Sequence, residues 1–286
     1  MRPPPQIADF HQWKFTGHQA TDDKLPGKIC LILNSRLSFQ RLFPGARTGR
    51  PVLGFAAGIC CALLAWTGAS SAAQEAVAPT SPPSPWRDLF AADLSDAQFP
   101  AGVWTMENGE LTASEDQVIW TRDDHSDFAL DFEFKTGPDA NSGVLVYATD
   151  TAQWVKNSVE IQLLDDAGPK WAKIDPKWRC GAIFGCLAPS KSAVKPAGQW
   201  NHCTITCRGR RIEVVLNGEK VTSMDMSRWT SPTHNPDGSA KPPWLSTPFS
   251  THPTRGKIGF QGKHGGSPVR FRNIKIRDLA GSEGKD

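Results

Sequence analysis

No apolar stretch here offers the roughly 20 residues that a membrane-spanning helix needs. Val52–Trp66 stops at 15. Long segments of helical period are missing as well, which argues against a bundle or an α/β domain. No phosphate loop, dinucleotide fingerprint, Ser-His-Asp signature or His-rich zinc motif occurs. A basic stripe is missing too. The formal charge of +3 is concentrated early, since residues 1–73 hold 8 Lys+Arg against 3 Asp+Glu, leaving 24 against 26 for residues 74–286. The main part is therefore about −2, which excludes nucleic acid as the expected partner.

What is present begins with an N-terminal extension. Arg47 and Arg50 precede the Val52–Trp66 run, and the small residues Ser71-Ala72-Ala73 follow it. A basic flank, a short apolar core and small residues together make a secretory signal peptide cleaved near Ala73. The expected location is thus secreted or periplasmic, with no transmembrane span in the mature protein. The 50 or so residues ahead of the apolar run exceed an ordinary n-region. A start codon farther downstream would account for them. Residues 74–85 form a Pro/Ser/Ala linker, residues 86–279 are long enough for one domain with a sizeable core, and 280–286 are a polar tail.

Seven cysteines occur, and Cys30, Cys60 and Cys61 precede the cleavage point. Cys203 and Cys207 share one face of a strand about 13 Å apart, at roughly 3.3 Å per residue, and cannot bond to each other. Cys180 and Cys186 flank a small-residue segment. Buried free thiols and one or two disulfides are both open, because export permits the latter.

From Trp86 onward, short apolar stretches alternate with Gly, Asn, Asp and Pro punctuation, the rhythm of an all-β antiparallel sandwich. Asn108-Gly109 and Asn217-Gly218 mark hairpins. Phe128–Lys135 alternates, with Phe128, Leu130, Phe132 and Phe134 inward, and Gln117–Thr121 reads as an edge-like strand. Residues 166–179 carry two prolines and two tryptophans without periodicity and read as a loop. Residues 227–254, rich in Pro, Ser and Thr, read as a long surface loop. Val269–Ile276 alternates again and should complete a sheet.

The stretch 141–165 carries the candidate chemistry. In Val159-Glu160-Ile161-Gln162-Leu163 a period of two sends the apolar residues to one side and Glu160 and Gln162 to the other. A mid-strand carboxylate is costly unless a groove, an ion pair or a metal receives it. His264 is a candidate acid or base, since an unperturbed imidazole titrates near pH 6.5. Glu160 and Asp165 are candidate catalytic acids and also the candidate ligands of a divalent cation. Gln162, Asn141, Tyr147, Trp154, Lys263 and Arg272 are the candidate substrate-binding residues. Each also has a plain structural reading: turn chemistry for Asn141, packing for Trp154, and a structural ion pair for Glu160 with Lys263 or Arg272.

NSGVLVY, VEIQLLD, GAIFG, AGQWN, IEVVLNGEKV and the ending RGKIGFQGKHGGSPVRFRNIKIRDL occur in this order over roughly residues 86–279. The sequence in this respect resembles the 3-keto-disaccharide hydrolase domain family. The resemblance implies an exported jelly roll of the concanavalin A/LamG-like type whose substrate is an oligosaccharide or glycoside oxidised at C3. It also implies cleavage by C2 proton abstraction, elimination and hydration, a net hydrolysis. Two other readings stand beside it, a non-catalytic carbohydrate-binding sandwich and a structural or adhesive exported domain, because fold does not fix function.

Overall fold

A computed structural model describes residues 83–279, all within the unit Ala72–Asp286. The expected signal peptide and extension, most of the linker, and the polar tail lie outside the described residues. The chain runs through β1 (Arg87–Asp88), β2 (Ala97–Gln98), β3 (Trp104–Glu107), β4 (Glu110–Ala113), β5 (Val118–Thr121), β6 (Phe128–Thr136) and β7 (Asn141–Ala148). It continues through β8 (Val159–Leu164), β9 (Asn201–Arg208), β10 (Arg211–Leu216), β11 (Glu219–Asp225), β12 (Lys257–Gln261) and β13 (Val269–Asp278). Helical structure among these residues is limited to four short 3₁₀ turns.

The strands form two antiparallel sheets. One has the order β11-β10-β9-β6-β13-β4-β3, with β1 also on β13, and the other runs β2-β5-β12-β7-β8. The all-β sandwich expected from the sequence is therefore what forms. Both Asn-Gly pairs make two-residue hairpins, with φ of 53° and 76° at Asn108 and Gly109 and 51° and 84° at Asn217 and Gly218. Those positive values are what a type I′ turn requires, and Asn and Gly reach them at least cost.

Alternation builds the core between the sheets. Phe128, Phe132 and Phe134 of β6, Phe271 of β13 and Phe260 of β12 are all fully buried. Phe260 meets Phe271 and Phe132 edge to face at 5.0 and 5.4 Å between ring centres, joining one sheet to the other. Each such ring contributes roughly 1.5–3 kcal/mol of burial. The opposite face of the larger sheet is polar: Glu133 holds Arg272 at 2.9 and 3.1 Å, and Arg272 stacks on Trp200 at 4.0 Å.

Three segments differ from expectation. β5 is not an edge, since β2 and β12 flank it. Residues 227–254 are no simple surface loop: they bury Trp229, Leu245, Phe249 and His252, with Trp229 Nε1 donating to Asn235 Oδ1 at 3.1 Å and His252 Nε2 to the Tyr147 carbonyl at 2.9 Å. Apolar side chains spaced through a proline-rich segment leave no period to read, yet they find tertiary partners. Gly181–Phe184 lies along β8 as an irregular extension, through the Gly181 and Phe184 amides and the Gln162 amide. All four cysteines of the domain are buried free thiols, each raised well above the usual thiol range by burial.

Candidate functional site

The smaller sheet has one face in the core and one outside it. Val144, Ile161 and Phe260 point inward, so their neighbours point outward in rows fixed by register. The first row is Trp120, Gly259, Leu145 and Glu160. Val118, Gln261, Gly143 and Gln162 form the second by the same alternation. Asn141, bridged to His264 on one side and paired with Leu164 on the other, makes the third. Rows lie about 6.6 Å apart, two residues at ~3.3 Å each.

Gly143 shapes this surface. A Cβ there would sit 2.5 Å from Oε1 of Glu160, so the Glu160 carboxylate leans back over the glycine into the second row. It then stands about one row, some 7 Å, from the row of Asn141 and His264. Gly259 plays the same part for Trp120, whose ring occupies the space a Cβ would fill. Val118, Trp120, Leu145, Ala148 and Trp154 pack together at that end as an apolar cluster.

His264 is buried, and its Nδ1 lies 2.6 Å from Asp116 Oδ2. A carboxylate at Nδ1 accepts that N–H and orients the ring. The other Asp116 oxygen receives Gln261 Nε2 at 3.4 Å. Ser142 Oγ, donating to the Gln261 carbonyl at 2.7 Å, straps β7 to β12 below. On the neighbouring strand pair, Gln162 Nε2 donates to Asn141 Oδ1 at 2.6 Å. Asn141 Nδ2, Gln162 Oε1 and Gln261 Oε1 are buried without a protein partner. Each such atom costs about 1–3 kcal/mol, in folds whose net stability is only about 5–15 kcal/mol. All three lie on the outward face of the smaller sheet.

The structure brings together His264, Glu160, Gln162, Asn141 and Trp154, with Lys263 half-buried beside the histidine. Three expected residues are elsewhere. Asp165 follows the end of β8 with the opposite parity, and its Oδ2 accepts the Asp139 amide at 2.9 Å, bracing a turn. It lies five residues, ~16 Å along the chain, from Glu160. The two acids are therefore not a cation pair, and among the described residues no group of three or more His, Cys, Asp or Glu side chains is placed to hold a metal.

Tyr147 is turned into the core. Strict alternation would put it outward, but it adopts φ 56° at a bulge where the pairing of β7 with β12 slips by one residue. The extra residue inverts its side. Its hydroxyl donates to the Gly209 carbonyl at 2.9 Å and its ring meets Phe128 edge on. Arg272 belongs to the outer face of the other sheet, paired with Glu133.

Asp116, Gln261 and Trp120 join the site without having been singled out from sequence. Gln261 was findable: continuing the alternation from the inward Phe260 puts it outward. For Asp116 the only signal was the general need of a buried histidine for a partner.

Comparison with known proteins adds the following. Residues 65–277 match the family described as a 3-keto-alpha-glucoside-1,2-lyase-like domain. A crystal structure of a candidate glycosyl hydrolase from Parabacteroides distasonis ATCC 8503 is 52% identical, with a TM-score of 0.67 over 68% of this chain and 100% of that one. A second candidate glycosyl hydrolase from the same organism is 25% identical, with a TM-score of 0.55 over 68% of this chain and 94% of that one. None of the curated proteins matches the chain.

Proposed function

The chain belongs to the 3-keto-alpha-glucoside-1,2-lyase-like family, and from that premise we propose that it is an exported enzyme that cleaves 3-keto-glycosides by elimination followed by hydration. Export is supported by the basic flank, the 15-residue apolar run and the small residues after it. The chemistry is supported chiefly by one observation: an Asp116–His264 pair and the Glu160 carboxylate stand on one sheet face, about one row apart.

A C3 ketone acidifies the proton at C2. In this reading Glu160 removes that proton, and the C2–H electron pair forms the enolate across C2 and C3. The enolate collapses to the C1–C2 double bond as the C1–O bond breaks, and His264 gives the leaving oxygen its proton from Nε2. Water then adds at C1 and a proton returns to C2, so the sum is 3-keto-glycoside plus water to free 3-keto sugar plus alcohol. Asp116 holds the imidazole ring in place. Trp120 and Trp154, packed with Leu145, make the Glu160 end of the face apolar.

The test is release of a chromogenic alcohol from a 3-keto-glucoside and from its unoxidised parent, by the full chain and by Glu160→Gln. Release from the keto substrate alone, abolished in E160Q while affinity persists, is expected. Equal cleavage of both substrates sinks the elimination route. Binding without any turnover would make the domain a carbohydrate-binding module.

A further inference from the structure

We propose that the buried amide pair Asn141–Gln162 is the clamp for the C3 oxygen of the substrate, a role that rests on the elimination reading above. The two side chains sit on adjacent strands, and both are fully buried. One hydrogen bond joins them, from Gln162 Nε2 to Asn141 Oδ1, which leaves Asn141 Nδ2 and Gln162 Oε1 without a protein partner.

That remainder does not depend on how the amides are turned. Reversing both would join Asn141 Nδ2 to Gln162 Oε1 and leave Gln162 Nε2 and Asn141 Oδ1 instead. Either way the pair offers one nitrogen donor and one oxygen acceptor, side by side. A 3-keto sugar presents the complementary edge. Its ketone oxygen only accepts, and the hydroxyl on the next carbon donates.

Position agrees with this pairing. Gln162 lies directly across from Gly143, the residue over which the Glu160 carboxylate leans. The C3 oxygen is two bonds from C2, so a donor for the oxygen must stand next to the base for the carbon. As the proton leaves C2, negative charge gathers on the C3 oxygen, where an amide N–H of the pair meets it. Gln261 completes the edge. Its nitrogen is turned toward Asp116, which leaves Oε1 to accept from a further sugar hydroxyl.

The isosteric variants Asn141→Asp and Gln162→Glu test the clamp. Each keeps a hydrogen bond within the pair, because the remaining amide turns its nitrogen toward the new carboxylate, and each then presents only oxygens to the substrate. The readout is exchange of the C2 proton for deuterium, followed by NMR on a 3-keto sugar that has no leaving group at C1, so that enolisation is seen without elimination. Wild type should exchange. Both variants should exchange at least about 100-fold more slowly, the loss typical of removing one oxyanion donor, with KM changed much less. Wild-type exchange rates in both variants, or a rise in KM alone, overturn the clamp. Absence of both exchange and alcohol release in the wild type overturns the elimination reading, and the clamp with it.

Discussion

Replacing Gly143 by alanine should disable the site while leaving the fold in place. The backbone at Gly143 is outside the left-handed region, so alanine meets no conformational penalty there. Its Cβ, however, would stand 2.5 Å from Oε1, 2.9 Å from Cγ and 3.1 Å from Cδ of Glu160, where ordinary contact begins at 3.4 Å. The carboxylate must retreat by about 0.9 Å. A displacement near 1 Å can cost ~100-fold in rate, or about 2.7 kcal/mol of barrier. Stability should move little, because the roughly 0.5–1 kcal/mol that alanine gains over glycine in a strand works against the crowding. A thermal melt within about 4 °C of wild type, with kcat reduced by ~100-fold on the 3-keto substrate, is expected. Glu160→Gln in the G143A background should cost much less than Glu160→Gln alone, a non-additivity that direct contact gives. Unchanged kcat at an unchanged melting temperature would show that the carboxylate does not need its place above Gly143. A large fall in melting temperature would show that the backbone, and not the acid, absorbs the clash.

Two further expectations concern stability. Asp166 is half-buried, its Oδ1 accepts the Cys180 amide at 2.9 Å, and the loss of solvent around it lifts its pKa to about 6. The folded state then holds this proton more tightly than the unfolded chain. Its contribution is present below pH 4 and is lost as pH rises from about 4 to about 6, some 2–3 kcal/mol. Asp166→Asn keeps the acceptor and should remove that slope. Urea midpoints at pH 4.5 and 7 measure it, and an unchanged slope refutes the assignment. The buried thiols Cys180, Cys186, Cys203 and Cys207 are all free, so reductant should leave the melting temperature where it is. A disulfide would instead be worth about 2–4 kcal/mol on its removal.

Legibility followed the range of the interaction. The faces of β6 and β8 were readable because period two is local, and the two Asn-Gly hairpins because their φ values are written in the residues that tolerate them. Glu160 and Gln162 were readable for the same reason. Tyr147 was not, since the bulge that inverts it depends on how β12 meets β7. Arg272 alternates as expected, but alternation does not tell which of two outward faces a strand will present, and β13 belongs to the other sheet. Asp165 looked like a continuation of the acidic strand and is the turn that ends it. Asp116 escaped because its partner is 148 residues away.

That last separation says something about how this protein comes to life. Asp116 precedes β5, Glu160 lies on β8 and His264 follows β12, and the face that joins them exists only when β12 is seated between β5 and β7. Hairpins close early and locally, whereas such distant pairings wait for the loops between them to be ordered. The chain can therefore hold most of its secondary structure and still have no working site. A strand from the far end of the sequence completes a surface begun near the start of the domain.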